Sequence, residues 1–272
     1  MGESVNNDGQ PSPVLLPNST QFYLDSEQGE KYLIQISWPL HWQESRMARF
    51  HSSHFSGGGI VVAIGYPLQG KLFDIQRRNL DLTPPTDPPN PGYGCADAFL
   101  DFIGNFVRPA VKVRFPQVSV SREALYGHSY GGLFALHALF TRSRSFDFYM
   151  ASSPSIWWNN LCILEEARAF AERKKAEHGK LPSLMVCWGS YEQNPPQWYN
   201  EPLDQYEGRK QSATDLRMGD NALDLCRMLH GCSQLHVVMQ NEYEGEEHMS
   251  VMSCSITRGL TMFFEDWPFH KP

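Results

Sequence analysis

A strand-like run, a five-residue turn and a helix-like run follow one another without a break from Ala124 to Phe140, and few folds accept that order. The lead-in is Ala124-Leu125-Tyr126, the turn is Gly127-His128-Ser129-Tyr130-Gly131, and the run out continues from Gly132 to Phe140. The turn spells G-x-S-x-G. In a nucleophile elbow of that form the serine sits on a strained strand-to-helix turn, with glycines two before and two after to keep side chains from colliding. The following helix aims its backbone N–H groups at the place where an oxyanion would form. Chance yields those five letters often enough; the strand before and the helix after give them weight.

The rest of the chain repeats the alternation. Residues 20–24 and 32–38 alternate in the manner of an antiparallel pair. Residues 59–65, rich in β-branched side chains, suggest a central strand buried on both faces. Residues 66–93 carry many prolines and charges and read as one long loop, of the kind that is usually functional. A helix is expected over 96–113, strands over 146–151, 184–188 and 235–239, and helices over 162–178, 221–229 and 251–264. Strands alternating with helices predict an α/β protein, a mostly parallel central sheet with helices on both faces. Residues 1–17, polar and rich in Asn, Gly, Ser and Pro, read as a disordered leader, and 18–272 as a single catalytic domain.

Composition limits what such a domain can meet. A net charge of −7 argues against a nucleic-acid partner. No apolar run reaches the length of a membrane span, and the polar start has no signal-peptide core. Six scattered cysteines complete no zinc pattern, and they suit buried free thiols in a reducing compartment. A soluble cytoplasmic protein without a metal or other cofactor is expected.

A serine alone is a poor nucleophile, so a histidine must take its proton and return it to the leaving group. In an α/β-hydrolase sheet the order is serine, acid, histidine, each at the C-terminal end of a strand. His248 follows the last strand, where the base belongs. His128 neighbours the serine, but adjacent residues at an elbow point in different directions. His137 and His236 fall inside a helix-like and a strand-like run, which suits structural roles. His51, His54, His178, His230 and His270 have no strand-end placement, and His41 fails on chain order. Glu192, four residues past Trp188, is the candidate acid; the alternatives are a solvated Glu192 or a serine–histidine dyad. Tyr130 N–H is one oxyanion donor. Arg77 or Arg78 in the long loop is placed to help with the second, or to pair with Asp74 or Asp81 instead. Trp157 and Trp158 are either core or a flat wall for a bulky ligand.

With these residues assembled, the chain resembles the esterase D-like branch of the α/β-hydrolases, and within it the siderophore esterases. The matching stretches are Gly65-Tyr66-Pro67, Phe73-Asp74 with Arg78 and Asp81-Leu82-Thr83-Pro84, and Gly94 through Ile103. To these add GHSYGGLFALHALF from Gly127, Ser153-Pro154-Ser155-Ile156-Trp157-Trp158-Asn159, and Gly245 with His248. The resemblance implies an enzyme that cleaves backbone esters of iron-chelating macrolactones, with Ser129 as nucleophile, His248 as base and Arg78 near the oxyanion. The run His54-Phe55-Ser56-Gly57-Gly58-Gly59 is similar to fungal intracellular enzymes acting on fusarinine-type hydroxamates, with iron arriving on the substrate. Family members carry a further strand and turn where residues 38–56 are short here. The alternatives are a carboxylesterase on another ester or thioester, such as a feruloyl or S-formylglutathione-like substrate, and a catalytically silent siderophore-binding protein.

Overall fold

The computed structural model describes residues 16–39, 59–68, 70, 73–174 and 180–265. The chain divides into two compact units, Met1–Gln69 and Gly70–Pro272. Most of the disordered-leader expectation, residues 1–15, lies outside the described residues, as do His41, His51, His54, His178, His270 and the short stretch from residue 40 to 58.

The first unit is a three-stranded antiparallel sheet in the order β1 (Ser19–Asp25), β2 (Lys31–Ser37), β3 (Val61–Gly65). Ile34 and Ile36 of β2 are fully buried while the residues between them face outward, the alternation of a half-covered sheet. The expectation that 59–65 forms a strand buried on both faces is corrected here. β3 pairs antiparallel with β2 and keeps Val61 42% exposed.

The second unit carries a parallel sheet in the order β4 (Ala124–His128), β5 (Phe148–Ser152), β6 (Ser183–Gly189), β7 (Val237–Tyr243). All five residues of β5 are buried, as a central parallel strand requires. One alternation of the inner strands, Phe148, Met150, Met185 and Cys187, meets Met262 and Phe263 of α8 (Val251–Glu265). Gly259 lets α8 approach, since a Cβ there would stand 2.3 Å from Met150 Sδ. The other alternation, with Tyr149, Ala151, Leu184 and Val186, is buried too. α4 (Tyr130–Thr141) and α7 (Met218–Leu229) pack on the sheet, with α5 (Trp158–Ala171) against both. Every residue of α4 from Gly132 to Phe140 is buried, which explains its apolar character all round.

Two helices fall where loops were expected. α1 (Ile75–Asp81) lies inside the 66–93 stretch, begun by Asp74, whose carboxylate accepts from Arg77 N–H at 3.0 Å. Thr83 ties the stretch together, donating to Asn79 O and accepting from Gly94 N–H. α6 (Leu203–Leu216) buries no residue at all, so it carries no apolar stripe to read. The expected 96–113 helix is α2 (Ala96–Phe102), a π-helical turn (Ile103–Val107) and α3 (Arg108–Arg114). Pro109 opens α3, and the wide turn before it gives its ring room that a regular turn would deny.

Candidate active site

The C-terminal ends of the four parallel strands converge on one group of side chains. Ser129 follows β4, Ser152 and Ser153 end β5, Glu192 follows β6 and His248 follows β7.

Ser129 has φ 60° and ψ −119°, a conformation that costs a non-glycine residue about 1–3 kcal/mol. The surroundings enforce it: Ser129 N–H donates to Ser152 O at 3.0 Å, and Ser129 O accepts from Leu133 N–H and Ser155 N–H. The glycines divide the labour differently from the motif's simple reading. A Cβ on Gly127 would lie 1.9 Å from Gly131 O, and one on Gly132 would press on Pro154 and Ser152, whereas one on Gly131 would meet nothing. Gly131 therefore matters for its backbone, and Gly132 is the second glycine the turn needs. Tyr130 is the first residue of α4, so its N–H has no intrahelical carbonyl to reach.

Glu192 is buried and surrounded by donors. His248 Nδ1 is 2.6 Å from its Oε2, while Ser153 Oγ–H and Gly189 N–H donate to Oε1 at 2.5 and 2.7 Å. Burial pushes this carboxyl up, but the bonds from His248, Ser153 and Gly189 outweigh it and hold the group below the usual carboxylate range. With Nδ1–H donated to the carboxylate, His248 keeps a lone pair on Nε2. Ser153 has φ 42°, a second strained residue spent on orienting the acid.

The loops bearing acid and imidazole are joined directly. Tyr191 N–H donates to Glu246 O at 3.0 Å, and Gly245 N–H donates to Ser190 Oγ at 2.9 Å. Glu246 thus acts through its carbonyl. A Cβ on Gly189 would stand 2.2 Å from Glu246 O. Gly189→Ala is therefore expected to push the two loops apart and to lower kcat by about 10–100-fold, since ångström misplacements have effects of that size. Steady-state kinetics normalised to titrated sites measures it; full activity would show that the seam does not matter.

Ser129 Oγ lies 3.4 Å from Ser155 Oγ and makes no hydrogen bond to His248 in this state. The imidazole nevertheless stands beside the elbow, its ring centroid 4.5 Å from that of His128. Catalytic hydrogen bonds are often long in unliganded enzymes and tighten around substrate.

Arg78 occupies the last turn of α1. Burial chiefly raises the Tyr130 hydroxyl, with Tyr93 adding to it and the Arg78 charge opposing, so Arg78 lies within electrostatic reach of the elbow. Arg77 is held 3.4 Å from Asp81, which is buried rather than on the surface. The two tryptophans part company: Trp158 is buried with its ring 6.1 Å from Tyr93, while Trp157 is partly exposed and 6.1 Å from the Tyr130 ring. His137 is buried against Glu166 at 2.9 Å, and His236 is exposed just ahead of β7 rather than inside it. Among the described residues no group of three or more His, Cys, Asp or Glu side chains is arranged to hold a metal. The six cysteines are free.

Ser153, Ser155 and His128 are the neighbours that sequence reasoning passed over. The two serines stood within a quoted motif, but nothing local says that one of them bonds a carboxylate 39 residues away.

A parallel sheet with an elbow serine after its first strand, and candidate acid and base after its third and fourth, is the architecture of an α/β-hydrolase. A sequence model of the family described as "Putative esterase" matches residues 38–221. "Siderophore triacetylfusarinine C esterase" of Aspergillus fumigatus is 63% identical, over 96% of this chain and 98% of that protein. Its alignment runs to 287 positions against 272 residues here, so the relative carries residues that this chain lacks. "Siderophore enterobactin esterase" of Emericella nidulans is 38% identical over 91% of this chain and 94% of that one. The solved structure of "Siderophore hydrolase EstB from Aspergillus nidulans" is 51% identical with a TM-score of 0.90, covering 96% of this chain and 100% of that one. The chain belongs to the esterase family and is a hydrolase acting on ester bonds.

Proposed function

We propose that the chain is a serine esterase that opens the backbone ester bonds of a ferric hydroxamate siderophore of the fusarinine type. Ser129 Oγ attacks the ester carbonyl carbon while His248 Nε2 takes its proton. Glu192, fixed by three donors, orients the imidazole and stabilises the imidazolium. Tyr130 N–H receives the oxyanion, with the Arg78 charge nearby. When the tetrahedral intermediate collapses, His248 returns the proton to the departing alkoxide, and water then releases the acyl group from Ser129 by the reverse sequence. Trp157, beside Tyr130, offers a wall for the ligand, and Arg77, paired with Asp81, braces the helix that carries Arg78. Iron is cargo on the substrate.

The observation that carries this reading is the 2.6 Å Glu192–His248 pair, mounted at the strand ends beside a strained serine. The names of the relatives supply the substrate class. A ferric trihydroxamate is neutral, which suits a protein of net charge −7 better than an anionic tricatecholate would. We place the reaction inside the cell, where six free thiols persist; no helix among the described residues is long and apolar enough to cross a membrane.

Incubation with a ferric fusarinine-type macrolactone, followed by mass spectrometry, is expected to yield linear and then monomeric hydroxamate acids. Intact macrolactone after incubation, from protein that still hydrolyses a feruloyl ester or a thioester, would reassign the substrate. Failure to react with a fluorophosphonate would point to a silent binding protein.

A further inference from the structure

The residue before the nucleophile has no part in the scheme above, yet it is a half-buried imidazole held at the end of β4 beside His248. His128 ends β4 with its ring centroid 4.5 Å from that of His248, at an interplanar angle of 43°. Its Nδ1 lies 3.2 Å from Ser152 Oγ on β5. Ser152 Oγ lies 2.8 Å from Ser255 Oγ on α8, and Ser255 Oγ lies 3.0 Å from the Tyr126 hydroxyl on β4 and donates to Met252 O. His128 Nε2 is buried and has no hydrogen-bond partner among the described residues.

The protons of this chain can be placed. With Ser255 donating to Met252 O, Ser152 has one hydrogen to spend. If Ser152 gives it to Ser255, His128 carries its proton on Nδ1 and donates to Ser152. What remains buried without a partner is then only the lone pair on Nε2. The opposite choice would bury an unpaired N–H donor, and burying an unpaired polar group is costly.

We propose that His128 is a positioning residue for ester hydrolysis, an imidazole anchored by Ser152 that stands beside the ring of His248, tilted to it, while Glu192 grips the Nδ1 edge of His248. The proposal rests on the reading of His248 as the base. A ring packed on one side and a carboxylate on the Nδ1 edge restrict the orientations open to His248.

The charged and titratable groups around His128 are consistent with that duty. They are His248 from the loop after β7, Glu192 after β6, Arg78 from α1, and, through the serines, Tyr126 of β4. Burial pushes His128 down to about 4, His248 and Arg78 push the same way, and Glu192 opposes them. The ring stays uncharged at neutral pH. When His248 becomes imidazolium in mid-reaction it therefore meets an uncharged ring and not a second cation. A histidine serving only as core filler would influence stability and leave turnover per folded molecule alone.

The test compares His128→Phe, which keeps a ring, with His128→Ala and His128→Leu, which do not, in the full chain. p-Nitrophenyl acetate serves as substrate, so the identity of the siderophore does not enter, and sites are counted with a fluorophosphonate. The non-aromatic variants are expected to lose about tenfold or more in kcat per titrated site with KM little changed, while the phenylalanine variant stays within about threefold of the parent. Should His128→Ala fail to fold, His128→Leu carries the same comparison. Normal turnover per site in the non-aromatic variants, or an equal loss in His128→Phe, overturns the positioning role. Full activity in a parallel His248→Ala variant is a different outcome, because it removes the base itself.

Discussion

Ser129→Ala is expected to lower kcat for any ester by about 10⁴–10⁶-fold and to abolish fluorophosphonate labelling, leaving a folded protein. Without Oγ there is no acyl-enzyme, and what survives is the modest rate given by substrate binding and the oxyanion donors. The melting temperature should scarcely move. The backbone strain at φ 60° is imposed by Ser152 O, Leu133 and Ser155 and is the same for alanine. Intact-mass measurement after labelling, with steady-state rates on the same sample, checks both halves. Label that still attaches to Ser129→Ala would put the nucleophile elsewhere in the chain.

Glu192→Gln should have the next largest effect, on the order of 10⁴-fold in kcat if the carboxylate sets the tautomer of the base. The reason lies in its neighbours. His248 Nδ1, Ser153 Oγ and Gly189 N all approach it as donors. A carboxamide offers one acceptor and one donor to three donors, so its NH₂ must face a hydrogen or force His248 to hold its proton on Nε2, where it cannot accept one from Ser129. The same exchange buries a mismatched group, so some loss of stability accompanies it. A drop in kcat below about tenfold would mean that a serine–histidine dyad does the work and that Glu192 is a structural anchor. The acid also makes stability depend on pH. Because its folded pKa is depressed, its contribution is present above the ordinary carboxylate range and is lost as pH falls through the folded value.

Much of this was readable from the sequence wherever a signal was local. The elbow, the parallel strands and the serine–acid–histidine order depend on short motifs and on apolar runs, and the structure sets the three groups just past the C-terminal ends of β4, β6 and β7. What escaped had no local signal. α6 has no buried side, so it has no periodicity, and α1 is only seven residues long among prolines. The last strand runs on to Tyr243 through Gln240, Asn241 and Glu242, polar residues that mask its continuation. Ser153 bonds Glu192 because β5 and β6 end side by side, and His128 meets His248 because the loop after β7 comes back to the end of β4. His128, set aside in the sequence as a neighbour of the serine, lies with its ring beside that of His248.

The two hydrogen bonds between the Ser190–Tyr191 turn and the Gly245–Glu246 turn reach further than local support. They tie together the loops that carry the Glu192 carboxylate and the His248 imidazole beyond the ends of β6 and β7. Closing the gap to Ser129, as the proposed reaction requires, is therefore expected to carry Glu192 and His248 together with their 2.6 Å contact kept.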